Sequence, residues 1–161
     1  MVGPFRSRRV PDDVASQLPA GDRALAWGRT CDGRPVAACA AGLTVEGAGL
    51  LGWHEITHVR WTDHVLRVDT MSSADAFVAA MDEVGRLPVV VMERVTASIV
   101  VNERHTLDGE RGVRVLARRV AGEDELRWGA VLDPGLDPAD PRWRTRVEHL
   151  VGAARARLGR S

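Results

Sequence analysis

Lysine is missing from this chain. All 22 positive side chains are arginine, and 22 aspartates and glutamates cancel them. A neutral chain lacks the basic excess on which non-specific nucleic-acid binding depends, so a nucleic-acid partner is not expected. The missing lysine, beside abundant alanine, valine, glycine and arginine, fits the codon bias of a GC-rich genome and carries no mechanistic weight. Long apolar runs are missing too. None approaches the ~20 residues needed to span a bilayer. Arg6, Arg8 and Arg9 are not followed by an apolar core, so they do not read as a secretory signal. A cytoplasmic location is the expectation. Cysteine is scarce: Cys31 and Cys39 are the only two, too few for a disulfide framework. If Asp32-Gly33 is a two-residue hairpin turn, the two sulfurs lie roughly 16 Å apart at ~3.3 Å per strand residue, beyond the ~7 Å Cα limit for a bridge. Two free thiols are expected.

The 161 residues suit one domain large enough to bury a core without staples. Residues 1–21 carry Pro4, Pro11 and Pro19 with no sustained period and read as an N-terminal arm or loop, either lying on the surface or mobile. A single domain over 22–159 follows. The stretch that organises it is Gly52-Trp53-His54-Glu55-Ile56-Thr57-His58-Val59-Arg60-Trp61. It holds two tryptophans and two histidines between stretches that read as hairpins. Before it, Asp32-Gly33 is a strong hairpin signal. With a two-residue turn there, Trp27 faces Ala38 and Leu25 faces Ala40. Leu43-Thr44-Val45 is a third strand. In the central stretch Trp53, Ile56 and Val59 recur every three residues, and a bulge near His54-Glu55 would place Trp53 and Ile56 together. Thr62-Asp63-His64 turns the chain into a strand at Val65-Leu66-Arg67-Val68.

Ser72 to Val84 reads as an inserted helix. Ser72 and Asp75 form a capping box, Ala74, Phe77, Val78, Met81 and Val84 a stripe, and Gly85 a terminator. From Leu87 onward three valines favour strand, whereas Pro88 and the Val91, Met92, Val95, Ile99 spacing favour helix. The expectation is a short helix over Pro88–Ala97 and then a strand from Ser98 to Arg104. Val113 to Val120 and Glu125 to Leu132 form a hairpin, with Leu126, Trp128, Ala130 and Leu132 on one face. Asp140 caps a final helix that Pro141 starts, with a Trp143, Val147, Leu150, Val151, Ala154 and Leu158 stripe and Gly159 after it.

Asp22-Arg23-Ala24-Leu25-Ala26-Trp27, Trp53-His54-Glu55-Ile56, Arg94-Val95-Thr96-Ala97-Ser98 and Leu136-Asp137-Pro138-Ala139-Asp140-Pro141 carry a resemblance over about Asp22 to Gly159. The chain resembles bacterial pleckstrin-homology-like (PH-like) domains, and more narrowly a family of small actinobacterial proteins. The resemblance implies an α+β fold: a bent antiparallel sheet or barrel of about seven short strands closed by the C-terminal amphipathic helix. The helix near 73–84 departs from a minimal version of that fold. Members that bind phosphoinositides use a Lys/Arg cluster in the first hairpin loop. Only Arg29 and Arg34 flank Asp32 here, so headgroup binding does not carry over.

His54, His58, Asp63 and His64 are the one metal-like cluster. On a strand, His54 and His58 are about 13 Å apart at ~3.3 Å per residue, too far to share the ~2.0–2.3 Å ligand shell of zinc. Surface histidines are the plainer reading, and neither a metal nor a cofactor is expected. Ser98, Thr96 and His105 lack a nucleophile elbow. The glycines at Gly42, Gly47, Gly49 and Gly52 complete no phosphate loop. Arg114 and Arg118 share a strand face, and Arg119 is expected to join Arg127 on the other. With Arg155 and Arg157 these make a candidate basic surface, although nearby acids also fit a merely solvated face. Trp61 and Trp143 are the tryptophans expected to be partly exposed. The leading expectation is a non-enzymatic binding or scaffolding domain with an unidentified protein partner. The alternatives are a metal-dependent hydrolase on the histidine cluster and a peripheral binder of anionic lipid or RNA through the arginines.

Overall fold

The computed structural model describes residues 9–160. The proximal part of the expected arm, residues 1–8, lies outside them. Its remainder is anchored: Pro11 leads into the short helix α1 (Asp12–Ala15), whose Val14 is buried, and α1 packs against β2 (Pro35–Ala38). Asp13 also takes both terminal nitrogens of Arg29, at 2.6 and 2.9 Å.

The fold is α+β, with a curled seven-stranded antiparallel sheet and a second sheet of three strands. The first sheet is two meanders joined in the middle. One comprises β1 (Ala26–Thr30), β2, β3 (Gly42–Val45) and β4 (Gly49–Gly52); the other comprises β5 (Ile56–Thr62), β6 (Val65–Thr70) and β7 (Phe77–Glu83). The order β4-β3-β2-β1-β7-β6-β5 makes β4 and β5 the two edges, although only the turn 53–55 separates them in the chain.

The β1–β2 turn is one residue longer than the sequence suggests. Thr30 and Arg34 close it around Cys31-Asp32-Gly33: Thr30 N–H donates to the Arg34 carbonyl at 2.9 Å, and Gly33 sits at φ 87°. The register is therefore Ala26↔Ala38 and Trp27↔Ala37, not Trp27↔Ala38. A one-residue slip exchanges the faces of a strand. Ala26 and Gly28 point into the curl, and Trp27 lies outside under the Arg29 guanidinium, 5.8 Å from the ring centroid. Gly28 has no alternative there, because a Cβ would fall 2.3 Å from the Glu83 carbonyl oxygen of β7. Cys31 and Cys39 are both free, as expected.

The expected helix over 73–84 is strand. Phe77, Ala79 and Met81 are buried on alternate positions of β7, which pairs with both β6 and β1 and so joins the two meanders. The stripe misleads because Val78 and Ala80 are also apolar, so periods of two and of three or four both fit. Pairing with two neighbouring strands outweighs local propensity. The supposed cap residues build the preceding loop instead: Asp75 N–H donates to Asp69, and Ser73 N–H to the Thr70 hydroxyl.

Helix α2 (Leu87–Ser98) follows β7 and fills the curl. Leu87, Val90, Val91 and Val95 pack among Val36, Leu43, Trp53, Ile56, Leu66, Val68, Phe77 and Met81. Pro88 in its first turn and the three-to-four spacing prevail over the β-preference of the valines. The helix that closes the curled sheet is thus α2. The chain then forms the second sheet, β8 (Ile99–Asp108), β9 (Arg111–Arg119) and β10 (Leu126–Leu132), with β9 in the centre. The final helix, α3 (Pro141–Leu158), is capped by Asp140, which accepts from Arg142 N at 3.0 Å. Its Leu150 and Ala154, with Val147 and Val151, lie on Val113, Val115, Trp128, Ala130 and Leu132. It packs near Trp128 rather than Trp27 and covers the second sheet, not the first. Among the described residues, no helix is long and apolar enough to cross a membrane.

Candidate functional site

Side chains alternate across β9. Val113, Val115 and Ala117 are on the face toward α3, while Gly112, Arg114, Leu116 and Arg118 are on the face toward the curled sheet. Arg118 is only 1 % exposed. Its Nη1 donates to the Ile56 carbonyl at 2.7 Å and its Nη2 to the Trp53 carbonyl at 2.7 Å. Nε and Nη2 both donate to the Ser98 hydroxyl, at 2.9 and 2.7 Å, and Nη2 also reaches the Val95 carbonyl at 3.5 Å.

These partners explain why an arginine is buried here. Trp53 and Ile56 flank the corner where the edges β4 and β5 part, and their carbonyls there face protein instead of a strand. Val95 and Ser98 close the C-terminal turn of α2, where the helix carries about −0.5 of a charge. One planar fork meets all of them, a task that suits guanidinium and not ammonium. Burial lowers the Arg118 pKa from its ordinary value, yet arginine keeps its proton in proteins. The central stretch thus organises the fold through its backbone. Glu55 folds back to accept from Gly52 N at 2.9 Å, and Trp53 Nε1 donates to the Cys39 carbonyl at 3.0 Å.

Beside Arg118 lies a cleft of about 610 Å³ between the β5–β6 end of the curled sheet and the second sheet. Thr57, His58, Arg60, Asp69 and the 70–74 loop line one side; Asn102, Arg114, Leu116 and 131–134 line the other. Met71 rests on Gly129, where a Cβ would meet its methyl group. Arg60 touches Asp69 at 3.3 Å, and Arg114 donates to the Asn102 side-chain carbonyl at 3.1 Å. Asp133 is held by Arg104 at 2.6 and 3.0 Å and by Gly112 N at 2.8 Å.

The Arg104 guanidinium, the Gly112 amide and the nearby charge of Arg114 pull the Asp133 carboxyl down to about 2. Its folded value lies below the ordinary 3.8, so any stabilisation it gives is complete above 3.8 and fades as pH falls toward 2. Carboxyl NMR titration should place its midpoint near that value, and Arg104→Ala should raise it toward the ordinary one. An unchanged midpoint in the variant would show that Arg104 does not hold it.

The other candidate residues are dispersed. Arg127 lies opposite Arg118 on the cleft face, because Leu126 and not Arg127 pairs with Arg119. Arg119 is on the far face of β9. Arg127 is 3.5 Å from Glu123, and Arg157 is 2.6 Å from Glu103. Arg155 stacks 5.4 Å above Trp128, beside a shallow groove of about 420 Å³ lined also by Glu125, Leu126 and Leu158. One basic surface made of all six arginines is therefore not what the fold builds. Trp61 is half-buried against the first core, and Trp143 is half-buried under Arg142. In the first hairpin, Arg29 and Arg34 are both tied to carboxylates, Asp13 and Asp32. His58 lines the cleft, His54 sits in the corner turn, and Asp63 and His64 form the β5–β6 turn at positive φ. Among the described residues no three metal-ligating side chains gather.

Sequence reasoning missed the burial of Arg118 and the Asp133–Arg104 pair. Arg118 is in phase with Leu116 on an inward face, but Arg114, two residues before Leu116, shares that face and is exposed, so the pattern alone does not separate them. Compared with protein-family models, curated proteins and solved structures, the chain matches none.

Proposed function

We propose that this protein is a non-enzymatic binding domain of PH-like architecture that acts in the cytoplasm through contacts with a protein partner. The observation that supports it most is the first sheet with its helix. Two meanders in the order β4-β3-β2-β1-β7-β6-β5 curl around the helix that follows the last strand, as the resemblance implies for the sheet. That helix is α2, which leaves β8 to α3 as a second layer with an open cleft beside it. The hydrolase reading has less support, since His54, His58, Asp63 and His64 run from the corner turn to the far end of β5. The reading through anionic lipid or RNA has less as well, with Arg127 and Arg157 tied to carboxylates.

Elemental analysis of the purified chain, run beside low-salt sedimentation with anionic vesicles and RNA, tests this directly. The expected result is no stoichiometric metal and no co-sedimentation. Zinc at one equivalent that is lost in His58→Ala would favour the hydrolase. Retention on vesicles or RNA that is lost in Arg155→Ala/Arg157→Ala would favour the peripheral binder.

A further inference from the structure

We propose that the cleft between the two sheets is a binding site for a small molecule carrying an oxyanion, a carboxylate or a phosphate, with Arg114 as its contacting cation. This goes beyond the protein-contact reading and does not rest on it. Three guanidiniums, those of Arg60, Arg114 and Arg118, line the cleft against two carboxylates, those of Asp69 and Asp133. The carboxylates are already engaged. Asp133 serves Arg104 and the Gly112 amide, and Asp69 accepts from Arg60 and from Asp75 N.

Arg118 meets carbonyls and a hydroxyl but has no acid within ion-pair distance among the described residues. The α2 C-terminus offsets about half of its charge, so a net positive field remains at the cleft wall, where low dielectric preserves it. Arg114 stands on the same face, about 13 Å along at ~3.3 Å per residue. It is exposed, and among the described residues its hydrogen bond goes to a neutral amide, while Asp133, near enough to feel its charge, is already held by Arg104. That bond also fixes the Asn102 amide, leaving its NH₂ as a further donor. The cleft volume falls in the ~300–1,000 Å³ range of small-molecule sites. A cation oriented by a neutral amide, on the same cleft wall as a buried charge with no acid partner among the described residues, suits an incoming oxyanion better than a cation or an apolar group.

The test is an amide NMR titration of the full chain with inorganic phosphate, with acetate and with sodium chloride at matched ionic strength. Saturable shifts at Asn102, Arg114 and the 70–74 loop are expected with phosphate, acetate or both, and these arms distinguish a phosphoryl from a carboxyl group. Arg114→Ala should weaken binding at least tenfold, while Arg119→Ala, on the opposite face of β9, should leave it unchanged. Three results would overturn the proposal: equal shifts with chloride, shifts that Arg114→Ala leaves intact, or no saturable shift with either oxyanion. None of these bears on whether a protein partner exists.

Discussion

Arg118→Met is expected to cost roughly 3–5 kcal/mol, the scale seen when one partner of a buried charged interaction is removed. Each buried acceptor left without a donor costs about 1–3 kcal/mol, and hydrogen bonds to charged groups are the stronger kind. The carbonyls of Trp53 and Ile56 both lose their donor, and Ser98 loses two contacts. Replacing a buried ion pair with apolar side chains is often harmless because both partners go. Here the acceptors are backbone and stay. A loss of that size consumes a large part of the ~5–15 kcal/mol typical of a domain. Arg118→Lys keeps the charge but cannot fork to several acceptors, so it should fall between wild type and Met. Urea denaturation at equilibrium checks the series. A methionine variant within about 0.5 kcal/mol of wild type, the range of ordinary surface substitutions, would show that the guanidinium contributes little.

The second large effect concerns α3. Leu150 is buried where the helix meets Val113 and Val115, and Leu150→Ala should cost roughly 2–5 kcal/mol. From the sequence, removing everything after Asp140 would unfold the whole domain. The structure narrows that expectation: α3 covers β8–β10, while the curled sheet has its own core with α2. Removal should therefore strip the outer face of the second sheet and abolish its protected amides, yet leave cooperative melting of the β1–β7 unit. Circular dichroism melts together with hydrogen exchange separate the two cases. Complete loss of cooperative melting would mean that the second sheet supports the first more strongly than its contacts indicate.

Much of the architecture was legible where one local signal met no rival. Asp140-Pro141 marked the last helix, Ala121-Gly122-Glu123-Asp124 the last hairpin, and Asp63-His64 a tight turn. What failed were places where two periods fit one string. Phe77–Glu83 carries apolar residues at both spacings, and only the vacancy between β1 and β6 selects strand. The β1–β2 register turned on whether Cys31 belongs to the strand or to the turn, and that single residue decided the face of Trp27. The importance of Trp53–Ile56 was visible in composition, but its means of attachment was not. A partner 62 and 65 residues away, acting on carbonyls, leaves no mark on either segment. The cleft was hidden for the same reason, since its walls come from β5–β6 and from β8–β10.

Arg118 fastens the second sheet to the corner turn and to the end of α2. Native-state amide hydrogen exchange of wild type and Arg118→Met, under conditions where both remain folded, tests it most directly. Protection is expected to fall together around Trp53–Ile56, over the last turn of α2 and along β9, while β1, β2 and β7 keep theirs. A fall confined to β8–β10, or spread evenly over both sheets, would contradict it.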